Sequence, residues 1–299
     1  MGISSMRGRG VLITFVVMVL MLTTAAGPAT DIGTQENPVR LSVDAGGDVQ
    51  ALADALFDAT GLYFDVEDPQ HGALAVDWLC DPGYSSVRVM ASPEYVFADC
   101  RTSARLQLTR LGSDRYFTGF YVPIDSDFDT LDDLVGVTGL EWYHPADDSI
   151  SGYMVPKGML ATAGVAYSGD IDLGNHTDVV KKMYDSVGIG GPVFGTAFVD
   201  ARDFVAGMEG YEDVSDQVRL LAQSPAIPTN PVVFGPDFTA NVRHQIERAL
   251  VKIADPDGPD YAAWQAAIAE DAGLDKLKKK EFRFLRSALE AAGIGIGDL

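Results

Sequence analysis

The residues best placed to do chemistry lie at Asp148-Ser149-Ile150-Ser151-Gly152-Tyr153, followed by Val155-Pro156. Two hydroxyls and a glycine stand where an amphipathic helix begins. The first N–H groups of a helix have no acceptor within it and carry the positive end of its dipole. Such a start favours an anion, and flanking Ser hydroxyls add donors. The other candidates stand in three short stretches: Gly112-Ser113-Asp114-Arg115-Tyr116, Gly174-Asn175-His176 and Asp200-Ala201-Arg202. Ser149, His176 and Asp200 are also the residue types of a hydrolase triad, so acyl transfer is the competing chemistry. No Gly-x-Ser-x-Gly elbow exists to present a nucleophile. Plain N-capping is the structural alternative for Ser149, Ser151 and Asp200. The four His (His71, His144, His176, His244) show no metal spacing beyond a weak His244-x-x-Glu247, so neither a metal nor a cofactor is expected.

The elements that position these residues alternate strand and helix. Val39–Val43 reads as a strand. Val49, Leu52, Leu56 and Ala59 fall at helical spacing from about Asp48 to Thr60, with Gly61 as the stop. Residues 62–66 read as a second strand, which completes a βαβ unit. Strands follow at 105–111, 117–122 and 139–143, and an α/β fold with largely parallel sheets is expected. Asp125, Asp127 and Asp129 open like a calcium loop, but Thr130 stands where Gly is needed and Gly136 where Glu is needed. Asp129 or Thr130 instead caps a short helix through Leu134. Pro156 is tolerable only in a first turn, so the helix after the serine loop begins near Ser151 to Tyr153 and stops at Gly164. Further helices are expected after His176, near Asp200, over 239–254 and over 278–292.

The chain has 299 residues, 47% of them hydrophobic, enough for a large core in two lobes. Its net charge of −21 repels nucleic acid and anionic lipid, so neither is an expected partner. Residues 1–29 read as an export signal, with Arg7 and Arg9 ahead of an apolar run from Val11 to Leu22 and small residues after it. An uncleaved N-terminal anchor is the alternative. The chain is expected in the periplasm or outside the cell. There, Cys80 and Cys100 read as a disulfide, with two buried free thiols as the alternative.

Taken together, these blocks resemble the phosphate/phosphonate periplasmic binding proteins of ABC importers, the PhnD-type family. Gly112 to Tyr116 with Thr130 to Leu134 is similar to the family's Gly-Ser-Pro-x-Tyr block and helix. Ser149 to Pro156 resembles its Ser-Thr-Ser-Gly anion loop. Gly174-Asn175-His176 resembles its Gly-x-His, Val199-Asp200-Ala201-Arg202 its Asp-Asp-Ala-Arg, and 227–233 its return strand. The resemblance implies a type II periplasmic-binding-protein fold, two α/β lobes joined by two extended crossovers. Lobe one is then 37–120 plus 228–299, and lobe two is 121–227. It implies a binding component that delivers a phosphonate, phosphite or phosphate-like oxyanion to a membrane permease and performs no chemistry. A ligand sensor of the same fold, or a binder of another small solute, is the rival.

The resemblance also implies roles. Ser149 and Ser151 donate hydroxyl bonds, and N–H groups from Ile150 through Gly152 to Tyr153 add aligned donors. His176 donates from its ring, and Tyr116 donates from the other lobe, coupling binding to closure. Asp200 accepts from a P–OH or pairs with a ligand ammonium. His71 stands where the family has a Tyr. Uncharged dipoles, without any Arg, are expected to capture the ligand. Ile150 for Thr, Val199 for Asp and Phe194 at a frequent Asp position leave room for a larger or less charged phosphonate.

Overall fold

The computed structural model describes residues 31–44, 47–110, 112–268 and 272–299. The export signal expected at 1–29 lies outside them. In chain order the elements begin β1 (Val39–Val43), α1 (Val49–Thr60), β2 (Phe64–Val66), α2 (Gly72–Cys80), β3 (Ser86–Val89), α3 (Ser92–Phe97) and β4 (Ser103–Leu108). Then come β5 (Arg115–Tyr116), β6 (Thr118–Pro123), β7 (Glu141–His144), α4 (Val155–Ala163), β8 (Gly169–Asp172), α5 (His176–Asp185), β9 (Val193–Phe198), α6 (Ala201–Ala206), α7 (Val214–Gln217) and β10 (Val218–Gln223). The chain finishes with β11 (Ile227–Pro228), β12 (Pro231–Phe234), α8 (Ala240–Ile253), α9 (Tyr261–Ile268), β13 (Leu274–Lys276) and α10 (Lys279–Ala291). Among the described residues no helix is long and apolar enough to cross a membrane.

Local chemistry sets the boundaries. Asp48 caps α1 by accepting from Ala51 N–H, and Leu52, Ala53 and Leu56 bury its apolar stripe. Gly61 ends it at φ 71°, a left-handed conformation that costs glycine little. Thr130 and Asp133 form a reciprocal capping box around the short helix Leu131–Leu134, where the calcium-loop alternative had been set aside.

The strands form two larger sheets, ordered β13-β4-β12-β3-β1-β2 and β10-β6-β9-β7-β8. Both are mixed rather than largely parallel. Only β1 with its neighbours β2 and β3, and β7 with its neighbours β8 and β9, pair in parallel. The reason is the return path: β12 re-enters the first sheet from the second and inserts antiparallel between β3 and β4. The first core gathers Leu41, Leu52, Leu250 and Trp264, and the second Trp142, Val155, Leu160 and Phe194.

Two extended crossovers join these lobes. They pair as β5 with β11, setting Tyr116 opposite Ile227 and Arg115 opposite Pro228. Gln107, fully buried, donates to the Asp114 carbonyl at 2.7 Å and accepts from Lys278 N–H at 2.9 Å. Ser92 Oγ is 2.9 Å from both the Pro228 and Thr229 carbonyls. Each crossover is therefore pinned to first-lobe elements at its first-lobe end, and at the other end Thr118 N–H donates to Ser224 Oγ at 2.9 Å. Sequence position placed α10 with the first lobe, yet Phe282, Leu285, Ala288 and Leu289 pack into the second core. A side chain at Gly158 of α4 would collide with the Ala288 backbone, so only glycine allows this approach.

Candidate anion-binding cleft

The serine loop is built as a helix start. Ser149 is the N-cap, and its Oγ accepts from Gly152 N–H at 3.0 Å. Ser149 O accepts from Tyr153 and Met154 N–H at 2.9 and 3.0 Å. The first turn, Ile150–Met154, is wider than an α turn and runs into α4. Wide turns of this kind often sit at functional sites. The second sheet holds the loop from behind. Thr118 Oγ1 donates to Ser151 O at 2.7 Å, Thr196 Oγ1 donates to Gly152 O, and Trp142 Nε1 donates to Thr196 Oγ1 at 2.8 Å. Gly152 is required because a Cβ there would overlap the Pro145 ring.

His176 begins α5, behind the Asn175 cap. Its Nδ1 accepts from Phe198 N–H at 3.0 Å, and its Nε2 lies 3.1 Å from Ser149 Oγ. A backbone N–H can only donate, so the neutral ring carries its proton on Nε2 and gives it to Ser149. Burial also holds the imidazole pKa below its ordinary value, which keeps it neutral. Ser149 Oγ thus receives two donors, and its own proton remains to be given away. This polarity is the reverse of a hydrolase pair, in which Nε2 accepts from the serine and Nδ1–H donates to a carboxylate.

A cavity of about 1090 Å³ opens between the lobes. Ser151, His176 and Asp200 line it from the second lobe, and Tyr116 from a crossover. Ser151 lines it although only 5% exposed, and its hydroxyl makes no hydrogen bond among the described residues. Burial pushes the Tyr116 phenol pKa up, so it stays protonated and able to donate. Asp200 occupies the N-cap position of α6, yet its side chain makes no capping bond.

Other expected contributors go elsewhere. The Tyr153 ring is buried and stacks on Trp142 at 5.3 Å, because the turn aims it into the core, and its N–H is spent on Ser149 O. The Ile150 side chain packs on the same core, so of this residue only the N–H points to anion chemistry. His71 does not line the cavity. It caps α2 by position, with Nδ1 3.2 Å from Asp44 and 4.0 Å from Glu94. Burial raises the Asp44 pKa and pushes that of Glu94 up to about 6.

Sequence reasoning missed the cationic and aromatic parts of the wall. Arg110 and Arg115 both line the cavity, so the expectation of a site without Arg does not hold. Arg115 is neutralised by Asp114 at 3.0 Å and Glu281 at 3.2 Å, while Arg110 acts electrostatically on Tyr116 and Asp44. Both flank the Gly112-Ser113 block, which was the signal available. Phe117, Phe198 and Phe204 supply apolar wall.

The chain is similar to several solved structures. A Xanthomonas citri protein bound to ATP aligns over 86% of this chain and 98% of its own, at 16% identity and a TM-score of 0.62. PhnD1 from Prochlorococcus marinus in complex with methylphosphonate aligns over 86% and 98%, at 12% identity and a TM-score of 0.51. A binding-protein component of an ABC phosphonate transporter from Pseudomonas aeruginosa aligns over 86% and 87%, at 13% identity and a TM-score of 0.50. At such identities these likenesses show the fold alone. No curated protein matches the chain. The model of the family described as ABC transporter, phosphonate, periplasmic substrate-binding protein matches residues 89–281. That match runs through both crossovers and the whole second sheet, and on its breadth the chain belongs to this family of substrate-binding proteins.

Proposed function

We propose that this extracytoplasmic solute-binding protein captures a tetrahedral oxyanion, a phosphonate, phosphite or phosphate, in the cavity between its lobes and hands it to the permease of an ABC importer. The observation that supports the reading is Ser151, only 5% exposed, which lines the cavity at a helix start and whose hydroxyl makes no hydrogen bond among the described residues. The Ile150 and Ser151 N–H groups at that start add aligned donors. Ser149, polarised by His176 and Gly152, does not itself line the cavity, and in this reading its proton reaches the same anion only on closure. Each bond to a charged acceptor contributes about 1.5–3 kcal/mol net, so four of them supply about 6–12 kcal/mol, a range that brackets the roughly 8 kcal/mol of a micromolar complex. The methylphosphonate held by the Prochlorococcus protein and the ATP held by the Xanthomonas protein are both phosphorus oxyanions, which supports the class.

Closure moves 37–120 with 228–277 against 121–227, in this reading, with Tyr116 on the crossover completing the ligand shell and α10 packed against both sides. Residues 1–29 are the export signal. A thermal-shift screen against phosphite, phosphate, methylphosphonate and 2-aminoethylphosphonate tests the reading, since a ligand that binds only the folded chain raises its melting temperature. A flat response to all four rejects it.

A further inference from the structure

We infer that the oxyanion carries an aromatic substituent, held along a ladder of rings on the second-lobe wall. The inference rests on the oxyanion reading and adds the rest of the ligand to it. The rings of His176 and Phe198 meet edge to face at 5.0 Å, and those of Phe198 and Phe204 at 5.4 Å. The ladder starts at the histidine that bonds Ser149 and runs outward along the cavity. Phe204 remains 55% exposed at its end, and Phe117 adds apolar wall from the crossover. Leaving a phenylalanine half in water forgoes burial that a ligand can restore, and aromatic pairs gain beyond area alone. A methyl group on phosphorus is too short to span rings whose centres lie 5.0 and 5.4 Å apart.

Charge narrows the substituent further. Asp200 lies between Phe198 and Phe204 in sequence, lines the same wall and makes no capping bond. Its carboxylate repels a second anionic group at this end. Arg110 lines the cavity as well and disfavours a cation, while the charge of Arg115 is already matched by Asp114 and Glu281. A neutral planar group satisfies both, and aromatic faces take it without orienting hydrogen bonds.

Calorimetry on the mature chain decides, with 2-phenylethylphosphonate, 2-aminoethylphosphonate and methylphosphonate as probes. The phenylethyl compound is expected to bind at least tenfold more tightly than the methyl compound. Phe204→Ala, at an exposed position where truncation leaves no core cavity, is expected to cut that ratio at least fivefold. Equal or weaker binding of the phenylethyl compound, with methylphosphonate still bound, overturns the aromatic inference and leaves the oxyanion reading standing. Tighter binding of the aminoethyl than of the phenylethyl compound overturns it in favour of Asp200. An undiminished ratio in Phe204→Ala removes the ladder. Binding of none of the three rejects the oxyanion reading as well.

Discussion

At the scale of single residues, the cleft is a donor array with its polarity fixed by geometry. Ser151→Ala removes an uncommitted hydroxyl and is expected to weaken ligand binding by about ten- to a hundredfold, at about 1.4 kcal/mol per tenfold, by calorimetry. Unchanged affinity rejects the role. His176 makes a pH-dependent contribution. Burial lowers its pKa in the folded chain, so the unfolded chain binds more protons, and this contribution is present above about pH 6.5 and lost as pH falls towards the lowered folded value. A second proton would also set Nδ1–H against Phe198 N–H. The melting temperature of the ligand-free protein is therefore expected to fall less steeply from about pH 7.5 to about pH 5.5 in His176→Gln than in the parent. Equal slopes would remove the tautomer argument. Of the candidate site, Ser151, His176, Asp200 and Tyr116, which line the cavity, could be picked out in sequence because they sit in short blocks whose spacing is local. Phe198 and Phe204 were hidden, since an aromatic in a strand or helix reads as core until its exposure is known.

At the scale of elements, caps and stops made most helices readable. Asp48, Gly61, Gly164 and Thr239 each sit at a boundary with the geometry that their chemistry favours. Among the elements that escaped, two show the physical reason. Strand β3 holds Arg88, only 2% exposed and stacked 5.7 Å from the Trp78 ring, and a charged residue inside a buried strand breaks the apolar pattern. Helix α2 buries Ala75 and Leu79 while leaving Leu74 and Trp78 exposed, so its apolar residues mark no single face. Strand direction was equally out of reach, because a strand's residues do not say which neighbour it will join. The serine loop tests how closely an element depends on one residue. Gly152→Ala drives a Cβ into the Pro145 ring and towards Ser149 Oγ at 2.8 Å. Overpacking of this kind costs about 1–3 kcal/mol. The loop is expected to shift and ligand affinity to fall at least tenfold while the far-ultraviolet circular dichroism stays native. Parental affinity would show that the loop yields without moving its donors.

At the scale of the whole molecule, the Cys80–Cys100 disulfide joins the end of α2 to the segment after α3 across 20 residues, with Cα atoms 5.6 Å apart. By the chain-entropy account a loop of that size contributes about 3 kcal/mol. Cys80→Ser is expected to lower the melting temperature of the oxidised protein and to match the parent under reductant; a gap that persists under reductant would assign the loss to packing. The net charge of −21 sets the long-range field against an anion, so capture depends on the short-range donors of the cleft.

Helix α10 gives the lobes a third tie. Phe282 meets Tyr95 of α3 edge to face at 5.0 Å, while Ala288 lies hard against Gly158 of α4. Two ribbons side by side tolerate both bending and torsion. In the proposed closure, a stiff rod spanning the same gap from another side would resist torsion and favour rocking about one axis. The serine loop and the Tyr116 phenol would then meet again in the same alignment after every cycle of uptake and release.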